Sequence, residues 1–167
     1  MKVAERLTIS GHELRAALAA ELGPKLQFDR GLAEFTSFKT GGPARYFMPV
    51  QTAEELSRTV KTAQELALPF FILGGGSNLL VSDDGYEGLV IKMDIGGLRR
   101  IGATEIEAGA GEDLQALVDF ATEHALSGLE FAAGIWGTVG GAIYGNAGAF
   151  GSDVGSIVSL ITMVGTD

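Results

Sequence analysis

The sequence predicts an α+β fold in which helices and strands alternate along the middle of the chain. Compact apolar runs of strand length lie at residues 69–73 and 88–93, and a helical pattern at residues 52–66 precedes the first of them. A second unit follows, with a strand at residues 104–108 and a helix at residues 112–124. Because this alternation is typical of α/β units, we expect two α/β subdomains.

The predicted elements divide the chain into three parts. An N-terminal helical extension covers residues 1–30, a first subdomain residues 31–98 and a second subdomain residues 99–167. The last apolar run, residues 157–164, is typical of a strand and ends at a Gly-Thr-Asp turn signal, after which a partner strand would normally follow. We therefore expect the second subdomain to be incomplete and a substrate-binding domain to be absent.

Local signals predict several element boundaries. Ser10 can cap a helix that ends at Gly23 and Pro24, and Thr52 with Glu55 has the pattern of a capping box. The first helix has apolar residues at helical spacing, namely Leu14, Ala17, Leu18 and Leu22. Turn signals lie at residues 40–43, between two aromatic-rich extended pieces, and at residues 82–85.

Composition and charge argue against several classes of function. The 167 residues carry 12 Lys and Arg against 21 Asp and Glu, and this net charge of −9 argues against a nucleic-acid surface, which needs clustered cations. The chain has no Cys and two separate His residues, so it offers neither a thiolate metal site nor a plausible zinc site. The N-terminus lacks the apolar core of a signal peptide, and no apolar run could span a membrane, so we expect a cytoplasmic protein without membrane insertion.

Three glycine-rich segments compete as phosphate sites. Residues 109–114 follow a strand and open a helix, but Glu112 and Asp113 would place carboxylates where a phosphate should lie, so helix capping is the simpler role. Residues 74–78, Gly-Gly-Gly-Ser-Asn, lack Cβ atoms at three successive positions. Several backbone N–H groups could therefore point into one concavity that suits an anion, although a plain turn explains such a triplet about equally well.

A third glycine-rich segment, residues 134–142, carries a hydroxyl at Thr138 and continues into the small residues of 146–151. So little side-chain bulk indicates close approach of the backbone to a ligand or to another helix. Within it, Asn146 either binds a ligand or supports a left-handed turn. Together with residues 74–78, this segment suggests one long ligand that lies between two loops.

Other side chains near the 40–43 turn have competing roles. Lys39 and Arg45 flank the turn and either face a phosphate or a substrate carboxylate or, as is commoner, are solvated. The neighbouring aromatic residues either stack on an adenine or, as is commoner, pack in the core. They are Phe35, Phe38, Tyr46 and Phe47.

Taken together and in order, residues 41–44, 73–81 and 134–151 resemble the MurB family, the UDP-N-acetylenolpyruvoylglucosamine reductases. The resemblance implies the vanillyl-alcohol-oxidase-like FAD-binding fold of the PCMH type, truncated to its FAD-binding part. It also implies FAD held between two subdomains, with NADPH as the reductant. In the family, a hydride passes from the flavin to the enolpyruvyl double bond of a UDP-sugar, which forms UDP-N-acetylmuramate for peptidoglycan.

The resemblance also implies roles for particular residues. Residues 74–78 would hold the FAD diphosphate, and residues 146–150 would lie near the flavin ring. The implied cofactor-binding residues are Gly74, Gly75, Gly76, Ser77, Asn78, Ile135, Gly137, Thr138, Gly140, Gly141, Asn146, Gly148 and Ala149. The family's catalytic groups, a Tyr-Arg motif, a serine proton donor and a late glutamate, would lie beyond Asp167, so neither Ser77 nor Glu130 is assigned a catalytic role.

One position departs from the family pattern, since Trp136 stands where the family usually has proline. Its bulky side chain is expected to change the loop path or to crowd the cofactor. Because Cys is absent and His124 lies late in a predicted helix, we expect FAD to bind noncovalently. Two alternatives remain, the FAD subunit of another PCMH-type oxidoreductase and a nonenzymatic nucleotide-binding module.

Overall fold

A computed structural model describes residues 10–165 of the chain. The predicted absence of a signal peptide rests mainly on residues 1–9, and the predicted turn reaches residues 166–167, so both predictions extend outside this range. The described residues form the predicted α+β fold. The helices are α1 Gly11–Leu22, α2 Ala53–Glu65, α3 Leu114–Glu123 and α4 Val139–Tyr144. The strands are β1 Gln27–Gly31, β2 Pro43–Val50, β3 Phe70–Leu73, β4 Tyr86–Met93, β5 Leu98–Ile101, β6 Glu105–Ala108, β7 Gly148–Ala149 and β8 Ser152–Asp153.

The main sheet of the described residues has the strand order β1-β2-β4-β3. Strand β1 is antiparallel to β2, whereas β2 and β3 both lie parallel to β4, with Met48 and Ile72 each paired to Ile91. Helix α2 connects β2 to β3, as parallel strands require a crossover. The strand and helix pattern predicted for residues 52–93 is therefore confirmed.

Three clusters of buried residues hold these elements together, and one of them consists of Leu32, Ala44, Phe47, Leu73 and Val90. Helices α1 and α2 bury Leu18, Leu22 and Val60 against the main sheet, where Met48 and Ile91 are fully buried. A separate core lies around α3 and α4, and its buried members include Leu114, Leu117, Val118, Phe131, Val139 and Ala142. The division into subdomains at residue 98 stays a prediction. None of the helices in the described part of the chain is long and apolar enough to cross a membrane.

Both predicted helix caps form, and one of them differs in detail. Ser10 and Glu13 make a reciprocal capping box on α1, and the Thr52 hydroxyl accepts a hydrogen bond from the Glu55 N–H, 3.1 Å away. The Glu55 carboxylate does not return to Thr52. It accepts instead from the Gln51 N–H at 2.8 Å and from Lys25 Nζ at 2.5 Å. Lys25 lies in the short segment between α1 and β1.

One predicted extended piece and one predicted strand are corrected. Residues 35–38 do not form an extended strand, because Thr36 Oγ1 donates to the carbonyls of Ala33 and Thr40, 3.3 and 3.0 Å away, and these local bonds replace a ladder. Residues 157–164 also form no strand, since they have no partner strand among residues 10–165, and Leu160 is 84% exposed.

Strand β3 forms where it was predicted but is not buried. It lies at the edge of the main sheet, and Phe71 and Ile72 are 41% and 40% exposed. Strand β5 was missed, because its Arg99 and Arg100 hide the strand pattern. It forms an antiparallel pair with β6, in which Arg99 lies opposite Glu107.

A matched pair of leucines tests the position of the first core. We expect Leu89→Ala to lower the free energy of unfolding by about 2–5 kcal/mol, because this side chain is fully buried in the central strand β4. Leu160→Ala removes the same atoms from an exposed position and should change the free energy of unfolding by less than about 0.5 kcal/mol. Urea unfolding followed by circular dichroism measures both, and equal effects would contradict the described core.

The Glu55 contacts predict a pH dependence of stability. The hydrogen bond from Lys25, followed by that from the Gln51 N–H, lowers the pKa of Glu55 below its ordinary value. A lowered carboxylate pKa contributes stability above the pKa of the unfolded state, and this contribution is lost as the pH falls through the folded-state pKa. Wild type should therefore melt at a higher temperature than Glu55→Gln at pH 7, and the difference should shrink below about pH 5.

Thermal unfolding across this pH range measures the effect, with Glu21→Gln as the control. Glu21 is an exposed carboxylate on α1 without a hydrogen bond or ion pair to the described residues. If the difference in melting temperature between wild type and Glu55→Gln stays constant from neutral to acidic pH, the charge of Glu55 does not contribute to stability.

Candidate functional site

Two of the predicted small-residue loops meet in the structure. The first, residues 74–78, follows β3 and is called the 74–78 loop. The second, residues 134–141, leads into α4 and is called the 134–141 loop. The Ser77 hydroxyl donates to the Trp136 carbonyl at 2.8 Å, a bond that joins positions 59 residues apart. The two loops that sequence reasoning placed on either side of a ligand are thus in direct contact.

The absence of Cβ atoms makes this contact possible. A Cβ on Gly74 would lie 2.6 Å from Thr138 Oγ1, and one on Gly75 would lie 3.1 Å from Gly137 Cα. Gly76 has a φ of +65°, and a Cβ there would lie 1.9 Å from the Phe35 carbonyl oxygen. A larger residue at position 76 would therefore meet both backbone strain and a clash.

The first loop offers free hydrogen-bond donors. Within residues 10–165, the backbone N–H groups of Gly75, Gly76, Ser77 and Asn78 have no acceptor. Successive free donors on a glycine-rich loop are what a backbone anion site requires. The anion site predicted from the glycine triplet stays a prediction.

A cavity of about 420 Å³ opens where the two loops meet. Of the predicted cofactor-binding residues, Gly75, Ile135, Gly137 and Thr138 line it. The remaining lining residues are outside the predicted cofactor-binding set, namely Gly111, Asp113, Gln115, Gly134 and Trp136. None of these described lining residues is Lys or Arg, so an anion bound there would depend on hydrogen bonds from uncharged groups.

The segment at residues 109–115 forms the third side of the cavity. Asp113 and Thr138 form an antiparallel bridge, in which the Leu114 N–H donates to the Gly137 carbonyl at 3.0 Å. Asp113 Oδ1 caps α3 by accepting from the Ala116 N–H at 3.0 Å. The capping role expected for this segment is thus present, and it also helps to enclose the cavity.

Two predicted glycines have their close neighbours within the protein. The Gly140 N–H donates to the Ala110 carbonyl at 2.8 Å, and a Cβ on Gly140 would lie 2.9 Å from the Ala110 Cβ. The Gly141 N–H donates to Thr138 Oγ1 at 3.3 Å, which caps α4. Both glycines support the cavity wall and lie outside its lining.

Asn146, Gly148 and Ala149 also lie outside the cavity lining. Asn146 has a φ of +44°, and its Oδ1 accepts from the Gly155 N–H at 2.8 Å, so it supports a left-handed turn. Gly148 and Ala149 form β7, which pairs with β8. The structure brings these three residues to a neighbouring turn.

The basic and aromatic residues near residues 40–43 have partners elsewhere. Lys39 Nζ donates to the Glu34 carbonyl at 3.2 Å, and Arg45 pairs with Glu87 at 2.5 Å. The hydrogen bond to Glu87 is the main cause that raises the pKa of Arg45. The aromatic side chains of Tyr46 and Phe47 are buried and that of Phe35 stacks on Phe47, whereas that of Phe38 is 63% exposed.

Trp136 lines the cavity and is 79% exposed. Its expected effect on the loop path or on a bound cofactor stays a prediction. His124, the residue weighed for covalent attachment, stacks on Phe120 at 4.1 Å and shares a 2.8 Å hydrogen bond with its carbonyl. It does not line the cavity.

Comparisons with known proteins agree with this geometry. Residues 43–165 match the FAD binding domain family. The UDP-N-acetylenolpyruvoylglucosamine reductase of Streptococcus thermophilus (strain ATCC BAA-491 / LMD-9) is 42% identical over 138 residues, which are 82% of this chain and 45% of that protein. UDP-N-acetylenolpyruvoylglucosamine reductase 2 of Symbiobacterium thermophilum is 44% identical over 81% of this chain and 44% of its own length.

A solved structure shows the same similarity. The crystal structure of UDP-N-acetylenolpyruvylglucosamine reductase (MurB) from Thermus caldophilus superimposes with a TM-score of 0.58 and 36% identity, covering 77% of this chain and 44% of that one. The chain spans about 45% of the length of the curated relatives that it matches. The chain therefore belongs to the FAD binding domain family, with the PCMH-type fold, and corresponds to the N-terminal FAD-binding part of the MurB family.

Proposed function

We propose that this chain binds FAD noncovalently where the 74–78 loop meets the 134–141 loop, and that it is the FAD-binding part of an NADPH-dependent reductase. The reductase would convert UDP-N-acetylglucosamine enolpyruvate to UDP-N-acetylmuramate in peptidoglycan precursor synthesis, in the cytoplasm. The observation that carries the proposal is the contact between the two loops, with free N–H groups beside a cavity. The named relatives favour this reductase over another PCMH-type oxidoreductase or a nonenzymatic module.

The size and lining of the cavity support the binding of a nucleotide cofactor. The cavity volume of about 420 Å³ falls within the range of ligand pockets, roughly 300–1,000 Å³. Glycines 75 and 137 leave the wall between the loops free of side chains, so a flat or extended ligand can approach the backbone closely. The free N–H groups of the 74–78 loop supply donors for a diphosphate in a site without basic residues.

We assign the cofactor contacts accordingly. Gly75, Gly76, Ser77 and Asn78 would hold the diphosphate, whereas Ile135, Gly137 and Thr138 would contact the adjoining parts of the cofactor. Gly74, Gly140 and Gly141 would act by allowing the walls to pack. The proposed contacts of Asn146, Gly148 and Ala149 with the flavin ring rest on the family resemblance, since the three residues lie outside the cavity lining.

FAD, when bound, would supply the hydride-transfer chemistry. The residues of this chain would bind and orient it and exclude water, because small residues allow close packing on both sides. Noncovalent binding is supported by the absence of Cys from the sequence and by the partners of His124, whose ring is stacked on Phe120.

The loop contact yields a prediction for cofactor affinity. Ser77→Ala removes the hydrogen bond to the Trp136 carbonyl, so the two loops should separate more easily. We expect the dissociation constant for FAD to rise about five- to thirtyfold, which corresponds to about 1–2 kcal/mol. Isothermal titration calorimetry measures it directly.

Ser57→Ala is the matched control, because Ser57 lies on the exposed side of α2 and makes no hydrogen bond to the described residues. It should bind FAD as wild type does. If wild type itself binds no FAD, the proposed function is wrong, and if Ser57→Ala weakens binding equally, the loop contact does not explain the loss.

We also propose that the 167-residue chain does not catalyse the reductase reaction by itself. Hydride addition to an enol ether must be completed by a proton donor. Among the described residues that line the cavity, Asp113 alone has an ionisable side chain, and it caps α3. With FAD bound and NADPH and the UDP-sugar supplied, mass spectrometry should detect no UDP-N-acetylmuramate. Its formation at a rate above that of free FAD would contradict this proposal.

A further inference from the structure

Trp136 is an exposed aromatic residue that lines the cavity. It is the single tryptophan of the chain, and its side chain is 79% exposed although it lines the cavity. A large aromatic side chain left in solvent beside a cavity is a candidate for contact with a ligand, because tryptophan is highly buried on average in folded proteins. None of the residues 10–165 covers most of this ring.

The backbone around Trp136 is fixed, although its ring is not covered. The Trp136 carbonyl accepts from Ser77 Oγ at 2.8 Å. On either side, the Gly134 N–H donates to Gln115 Oε1 at 2.8 Å, and the Gly137 carbonyl accepts from the Leu114 N–H at 3.0 Å. A ring carried on a fixed backbone has only its two side-chain torsions to order, so contact with a ligand costs little conformational entropy.

We propose that the indole ring of Trp136 stacks on a flat ring of the bound flavin dinucleotide at the edge of the cavity. This inference rests on the proposed FAD binding. Trp136 lines the same cavity as Gly75, whose N–H we assign to the diphosphate. In FAD the diphosphate lies between the two flat rings, so a ring of the ligand next to the diphosphate is within reach of the indole.

Stacking is the contact that an indole makes best with such a ligand. Offset stacking of aromatic rings contributes beyond the burial of apolar area, and it tolerates either a purine or a flavin because both have a π-face. Two other aromatic residues, Tyr144 and Phe150, are even more exposed, at 96% and 95%, but neither lines the cavity. Exposure alone therefore does not single out Trp136, whereas its place in the cavity does.

Affinity measurements with the whole 167-residue chain test the proposal. Trp136→Ala should raise the dissociation constant for FAD about tenfold, the size expected on removal of one stacking ring. Trp136→Phe should retain most of the wild-type affinity, because it keeps a ring. Tyr144→Ala, which removes an exposed aromatic ring outside the cavity, should bind FAD as wild type does. Isothermal titration calorimetry supplies all four constants.

Hydroxyl-radical footprinting read by mass spectrometry gives a second measurement that does not depend on the variants. Flavins absorb tryptophan emission at a distance, so a loss of fluorescence would not prove contact, whereas the oxidation rate reports coverage of the ring. Saturating FAD should slow oxidation of Trp136 severalfold and leave Tyr144 unchanged in the same sample. Protection by ADP identifies the adenine as the stacked ring, and protection by FMN identifies the flavin.

The outcomes separate this inference from the proposed function. If wild type and Trp136→Ala bind FAD equally tightly and Trp136 is oxidised at the same rate with and without FAD, the stacking is wrong while FAD binding stands. If wild type binds no FAD, both proposals are wrong. Weakened affinity in Trp136→Ala together with a folded circular-dichroism spectrum excludes a merely structural explanation.

Discussion

The site depends on one constraint, the close approach of two loops that carry almost no side chains. Ser77 and Trp136 are joined by a hydrogen bond, and Gly75 lies against Gly137 with no room for bulk between them. The first loop is set in place by β3 at the edge of the main sheet, and the second by α3 and α4 in a separate core. The cavity therefore depends both on the main sheet and on the core around α3 and α4.

Helix caps and turns were predictable from the sequence because they depend on residues that are close together along the chain. Ser10 and Thr52 cap helices, and residues 82–85 form a turn that the Gly85 N–H closes on the Ser82 carbonyl. The glycine triplet marked the 74–78 loop for the same reason, since three missing Cβ atoms are visible without any tertiary context. What the sequence could not show was the surface against which that loop packs.

The parts that sequence reasoning missed depend on partners that are distant along the chain. Asp113 and Gln115 line the cavity only because residues 109–115 bridge to the 134–141 loop, and their cap and helix pattern gave no sign of it. Strand β5 was hidden because its Arg99 is paired with a glutamate on β6. The predicted strand at residues 157–164 is absent because apolar alternation alone cannot supply the hydrogen-bonded neighbour that a strand requires.

The edge position of β3 has a consequence for how the protein behaves in concentrated solution. Its four residues, Phe-Phe-Ile-Leu, carry no charge, and their outer edge has no partner strand within residues 10–165. Uncharged edges rich in β-forming residues are templates for strand addition by another chain. Pro69, directly before the strand, supplies no N–H and shortens this template from one end. The strand that presents the first loop is thus also the place where self-association can begin.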